Sequence, residues 1–187
     1  CRLLDGREAV LAACIVVLVT LTAWGTSQLF APRAAWLQTG AMLGTIMAAN
    51  VFFVIIPGHW QLVRAKQHGR PPDPIHGLRG KQRSVHNNYF TLPVLVAMLG
   101  SHFPAAYARP HGWAILVVLM LVGAWIRHYF NLRHTGRDVW LIPATAGLAI
   151  VVLALAIRPD ETSSGAVTGK APAFAVVQAI VQKRCVP

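Results

Sequence analysis

Five stretches of this 187-residue chain contain no Asp, Glu, Lys or Arg: residues 9–32, 34–63, 84–108, 110–126 and 139–157. A helix crosses about 30 Å of hydrocarbon with roughly 20 apolar residues, and every stretch is close to or above that length. Lipid offers no water to an unpaired backbone, so only helices and closed β-barrels can span it. Barrel strands alternate in polarity over about 10 residues, whereas residues 11–21 and 115–122 are apolar almost without a break. The pattern predicts an all-α, polytopic transmembrane helix bundle with five spans, at about residues 9–30, 37–63, 86–103, 110–130 and 139–157. The first run has no basic leader ahead of a small-residue cleavage site, so it does not have the form of a removable signal peptide.

Composition agrees with a lipid solvent. The chain is 55% hydrophobic and 12% charged, with mean hydropathy +0.51, which excludes an ordinary soluble domain and a disordered one. The net charge of +11 is spread in short clusters between the apolar runs rather than along one face. It therefore argues for a lipid bilayer as partner and against nucleic acid. Arg2, Arg7, Arg64, Lys66, Arg70, Arg79, Lys81, Arg83, Arg127, Arg133 and Arg137 lie on one side, against Arg33, Arg109 and Arg158 on the other. Positive residues stay in the cytoplasm, so the chain is expected to enter from the cytoplasm and to leave its C-terminus outside. Three cysteines, one of them Cys14 within an apolar run, make no disulfide framework. The chain starts at Cys1 without a methionine and stops shortly after Cys185, which has the look of a fragment, expected to be inactive without its missing helices.

The expected organisation is a transmembrane domain over 1–158, a linker over 159–171 rich in Ser, Thr and Gly, and the start of a water-facing domain over 172–187. Apolar positions 174, 177, 180 and 181 form one helical stripe leading to Cys185. That cysteine is either solitary or the first half of C-x-x-C-H, the covalent attachment motif of haem c.

Chemistry is concentrated at the cytoplasmic ends of the spans. His59, His86 and His128 lie at similar depth on three spans. They could converge on a second haem or a metal, shuttle protons or bind an anion, or they are solvated beside the neighbouring arginines. The third span opens on Ser84, His86, Asn87, Asn88 and Thr91, of which residues 84, 87, 88 and 91 share a face. Pro93 is expected to bend that helix so that the stripe opens a cavity; plain interhelical hydrogen bonding is the other reading. Asn50, midway along the second span, has the same two readings. Arg127, Asn131 and His134 follow at i, i+4 and i+7 and suit a planar anion, although positive-inside anchoring explains the arginines equally well. His102 and His111 flank an outer loop. No zincin motif, phosphate-binding loop, nucleophile elbow or dinucleotide fingerprint occurs, which removes most hydrolase and nucleotide-driven mechanisms.

Residues 49–57 (ANVFFVIIP), 86–95 (HNNYFTLPVL), 101–104 (SHFP) and 127–134 (RHYFNLRH) together resemble the membrane domain of the bacterial cytochrome-c-linked urate oxidases, the PuuD type of urate hydroxylase. The resemblance runs from about residue 41 to the C-terminus. It implies about eight membrane helices in the whole protein, of which this chain would hold the last five and the edge of a cytochrome c truncated in its haem motif. It further implies a bacterial inner-membrane enzyme with a periplasmic C-terminus that oxidises urate to 5-hydroxyisourate. Electrons would pass to haem c at Cys185 and on to a downstream respiratory acceptor, not to oxygen.

On that resemblance Arg127 pairs with the urate monoanion, Asn87 and Asn88 read its edges, and His86 or His128 takes a proton. Asn50, Thr91, Asn131 and His134 assist binding, and His59 is a candidate cofactor ligand. These groups lie on the inner side and the haem outside, so either a second haem or metal lies between them or the substrate site is deeper or nearer His102. Two other functions fit the residues: a quinol-linked cytochrome b/c subunit, and a transporter built on proline-interrupted helices.

Overall fold

The computed structural model describes residues 7–158 together with Phe174, Gln178 and Gln182, and Cys185 lies outside the described residues. The chain divides into two compact units, Cys1–Ile157 and Arg158–Pro187. The helices of the bundle belong to the first unit.

Helix α1, Glu8–Leu29, is apolar nearly all round. Most of its hydroxyls bond within their own turns, as Thr20 donates to the Val16 carbonyl at 2.8 Å and Thr26 to that of Thr22 at 2.7 Å, while Thr22 donates to Met42 Sδ at 3.4 Å. Pro32, fixed in φ and lacking an N–H, starts helix α2, Pro32–Asn50. This helix runs through a π-helical turn, Val51–Ile55, into α3, Ile56–Gln67. Pro57 accounts for the turn. It cannot donate to the Phe53 carbonyl and its ring crowds that group, so the ladder slips by one residue and the Ile56 N–H bonds five residues back, to Val51.

Helix α4, Pro74–Gly100, begins where Asp73 accepts the Ile75 N–H at 2.9 Å and Pro74 occupies the first turn. It starts 12 residues before the expected third span, because this cap folds the basic residues Arg79, Lys81 and Arg83 into the helix rather than into a loop. A single turn, α5 (Pro104–Tyr107), precedes α6, Gly112–Arg133, and α7 follows at Leu141–Ala156.

Among the described residues three segments are long and apolar enough to cross a membrane: Glu8–Leu29, the continuous Pro32–Gln67 rod and Gly112–Arg133. The third and fifth expected spans fall short of that measure for different reasons. In α4 the stretch beyond the cationic first turns still carries Arg83, His86, Asn87 and Asn88, which lower its apolarity, and α7 has only 16 residues.

Helix α4 lies between α2 and α6 and packs most extensively against both. Small residues set those approaches. A Cβ on Gly40 would meet the Ala97 Cβ at 2.8 Å, one on Gly100 would collide with the Trp36 ring, and one on Gly123 would press Leu92 and Pro93. Trp36, Leu43, Leu116 and Met120 fill the centre. Outward, Leu29, Phe53, Leu141 and Leu148 are each more than 60% exposed, an apolar surface suited to lipid.

Candidate functional site

On α4, His86, Tyr89, Phe90 and Pro93 recur at helical spacing and face one cavity of about 490 Å³, closed by α1 and α6. From α6 the wall takes Val117, Met120, Leu121, Ala124, Trp125 and His128. The size falls within the range of about 300–1,000 Å³ usual for small-molecule sites.

Polar groups gather at one end of this cavity. Glu8 Oε2 lies 3.3 Å from His86 Nε2, and Gln82 donates to Glu8 Oε1 at 3.1 Å. A carboxylate only accepts, so the pairing places a proton on His86 Nε2. The Tyr89 hydroxyl lies 2.7 Å from His128 Nδ1. His128 is stacked on Trp125 at 5.6 Å between ring centroids and 19° between planes, which fixes the imidazole in a slot with a phenol at one edge.

One residue round each helix, a second arrangement joins the helices directly. Arg127 turns Nε and Nη2 onto the Asn88 Oδ1, and Asn88 Nδ2 donates to Asn131 Oδ1 at 2.5 Å. The Asn131 Nδ2 is buried without a partner. Across the other seam, Asn50 Nδ2 donates to Asn87 Oδ1 at 2.7 Å, Asn87 Nδ2 to the Met47 carbonyl at 2.9 Å, and Arg83 Nη1 to Asn50 Oδ1 at 3.3 Å. Asn50 is the last residue before the π-helical turn.

The expected polar stripe is thus divided. Asn87 turns to α2 and Asn88 to α6, while Ser84 and Thr91 are exposed and Thr91 Oγ1 bonds its own helix at the Asn88 carbonyl, 2.7 Å away. Pro93 does line the cavity, but beside His86, Tyr89 and Phe90 rather than beside the amides.

Three converging histidines do not form. His86 and His128 share the cavity, whereas His59 is exposed on α3 and absent from its wall. The anion fork is also partial: Asn131 meets Arg127 through Asn88, but His134 is exposed beyond the end of α6. Among the described residues no three His, Cys, Asp or Glu side chains gather as a metal site.

Sequence reasoning missed Glu8, Tyr89, Phe90 and Trp125. The signal was the helical recurrence of residues 86, 89, 90 and 93, which the more polar neighbours 87 and 88 mask.

No curated protein and no solved structure matches this chain. The sequence does match the family described as urate oxidase, N-terminal, over residues 1–158, which extends the likeness back through α1 and its Glu8. By that match, which takes in the whole of the cavity and both amide networks, the chain belongs to the urate oxidase N-terminal family.

Proposed function

We propose that this chain is the membrane domain of a urate-oxidising enzyme of the cytochrome-c-linked type, set in a bacterial inner membrane with five spans and its C-terminus in the periplasm. Family membership carries the reading, and the cavity between α1, α4 and α6 supplies groups for the chemistry. Conversion of urate to 5-hydroxyisourate adds one water and releases two electrons and two protons, so the protein must hold a flat anion and accept protons. A haem c attached through Cys185, outside the described residues, would take the electrons on to a respiratory acceptor.

In this mechanism the purine lies flat along the aromatic wall made by Trp125 and Phe90. On this reading the imidazole proton is assigned to His128 Nδ1, 2.7 Å from the Tyr89 oxygen, so that Nε2 serves as the base for a purine N–H. His86, held by Glu8, offers a second acceptor at the same end. Arg127 and Asn88 position the α4–α6 seam and give the site a positive charge that favours a monoanion.

One observation favours a second reading. Away from its polar end the cavity wall is almost wholly aliphatic or aromatic, which suits a tailed quinol as well as a purine.

An absorption spectrum of the full-length gene product in membranes decides between the two. Reduction of the haem by urate, abolished together with urate consumption in His128→Ala, supports the enzyme. A loss of at least about a hundredfold is expected for removal of a general base. Reduction by quinol alone, with urate untouched, eliminates it.

A further inference from the structure

The rod from Pro32 to Gln67 has 36 residues. At about 1.5 Å of rise per residue it is about 54 Å long, well beyond the roughly 30 Å of a hydrocarbon core. Its first charged residues after Arg33 are Arg64 and Lys66, so the excess length falls at α3. Two neighbouring helices stop short of it. Glu8, which starts α1, meets α4 at Gln82 and His86, and Arg127 and Asn131 near the end of α6 meet it at Asn88. The turns of α4 before Gln82 therefore run past both, and α3 packs on those turns: a Cβ on Gly58 would lie 3.4 Å from the His76 carbonyl oxygen, and one on Gly77 4.0 Å from Leu62.

Both halves of this hairpin carry the same pattern. Trp60, Val63 and Arg64 stand at i, i+3 and i+4 on α3, and Ile75, Leu78 and Arg79 at the same spacing on α4. Each helix thus turns two apolar side chains and one guanidinium to a single face. All six are exposed, Leu78 by 67% and Trp60 by 56%. Lys66, Arg70 and Lys81 are exposed as well, and among the described residues none of these cations pairs with a carboxylate. The acid between the helices, Asp73, accepts the Ile75 N–H as a helix cap.

Cations alone would suit water or any polyanion, but Val63, Ile75 and Leu78 gain nothing from either. Apolar side chains alone would suit another helix, but that helix would have to desolvate the cations one turn away. An anionic phospholipid meets both demands, with a phosphate for the guanidinium and acyl chains for the aliphatic groups. The strip also continues the exposed apolar surface of the same rod at Phe53 and Ile56, and tryptophan followed by a basic residue is the order of an interfacial anchor.

We propose that the α3–α4 hairpin is a docking surface for anionic phospholipid. It lies against the headgroup layer, with Trp60, Val63, Ile75 and Leu78 at the acyl boundary and Arg64 and Arg79 on lipid phosphates. The contact is independent of what the His86 and His128 cavity binds.

Native mass spectrometry tests it on the purified full-length protein, stripped of lipid in detergent and titrated with phosphatidylglycerol or, separately, with phosphatidylcholine of the same chains. Phosphatidylglycerol should bind about 25-fold more tightly, the effect of two cations at about fivefold each. The joint substitution Arg64→Gln and Arg79→Gln should bring the two lipids level, and the single change Arg79→Gln, expected to cost about fivefold, serves if the double variant does not fold. Arg133→Gln with Arg137→Gln, which removes the same charge between α6 and α7, should leave the preference intact. Equal affinity for the two lipids in the unsubstituted protein overturns the proposal. So does a preference that the α6–α7 variant abolishes as readily as the hairpin variant, since general surface charge would then be its source. A dimer that binds both lipids alike and dissociates when Arg64 and Arg79 are substituted would assign the face to a second copy of the chain instead.

Discussion

Asn88 gives one carbonyl oxygen to two N–H groups of Arg127 and its amide to Asn131, so it joins a cation on α6 to the middle of α4. An average interhelical hydrogen bond in a membrane contributes only about 0.6 kcal/mol, but bonds to a charged group contribute about 1.5–3 kcal/mol and an abandoned partner is costlier still. The second effect decides here, because Arg127 is half-buried. Asn88→Ala should destabilise the full-length protein by about 2 kcal/mol in thermal or detergent unfolding, and Asn88→Asp should recover most of the loss by retaining both acceptor contacts. Asn50→Ala should do less harm. It deprives Arg83 of one acceptor, but Arg83 has another interaction to fall back on. If the two alanine variants proved equally harmful, the charge argument would be wrong.

At the scale of the elements, the uncharged runs make helices α1, α6 and α7 legible in the sequence to within a few residues, since lipid forces an uncharged run into helix, while the expected span 37–63 falls inside the longer rod Pro32–Gln67. The start of α4 is not legible by hydropathy: residues 74–83 are polar enough to pass for loop, and only the Asp73-Pro74 cap announces the helix. The π-helical turn is hidden for a related reason, because periodicity assumes a constant 3.6-residue turn that Pro57 locally breaks.

Two predictions belong to this scale. Pro57→Ala restores a donor for the Phe53 carbonyl. The variant should be more stable by about 1 kcal/mol, with slower amide exchange over residues 53–57. It should also turn over urate more slowly, because Asn50 abuts the turn and its bond to Asn87 depends on the local register. Unaltered exchange at those amides would show that the turn has another cause. Gly100→Ala drives a methyl into the buried Trp36 ring. Overpacking of that kind costs typically about 1–3 kcal/mol, seen as a lowered Tm. The candidate site was legible in part: His86 and His128 mark the cavity, but the sequence's most polar residues were committed to holding helices together. Polarity alone could not separate groups facing a cavity from groups facing a neighbour.

For the molecule as a whole, orientation ties the parts together. The His86 and His128 cavity lies at the end of the bundle that carries Arg79, Lys81 and Arg83. On the proposed five-span topology, which sets eleven basic residues on one side against three on the other, that end would face the cytoplasm. Helix α7, at 16 residues and about 1.5 Å of rise per residue, reaches only about 24 Å. It must stand close to the membrane normal or draw on Trp140 at its start and Arg158 beyond its end to meet the headgroups. If α7 nevertheless crosses, Lys170 emerges in the periplasm. In intact cells an impermeant amine reagent should then label Lys170 and spare Lys66 and Lys81, which become reactive only in inverted vesicles. Labelling of Lys170 from the cytoplasmic side would mean that α7 does not cross. The tail would then be kept from the compartment where haem c is attached, and the electrons from urate would need a different acceptor.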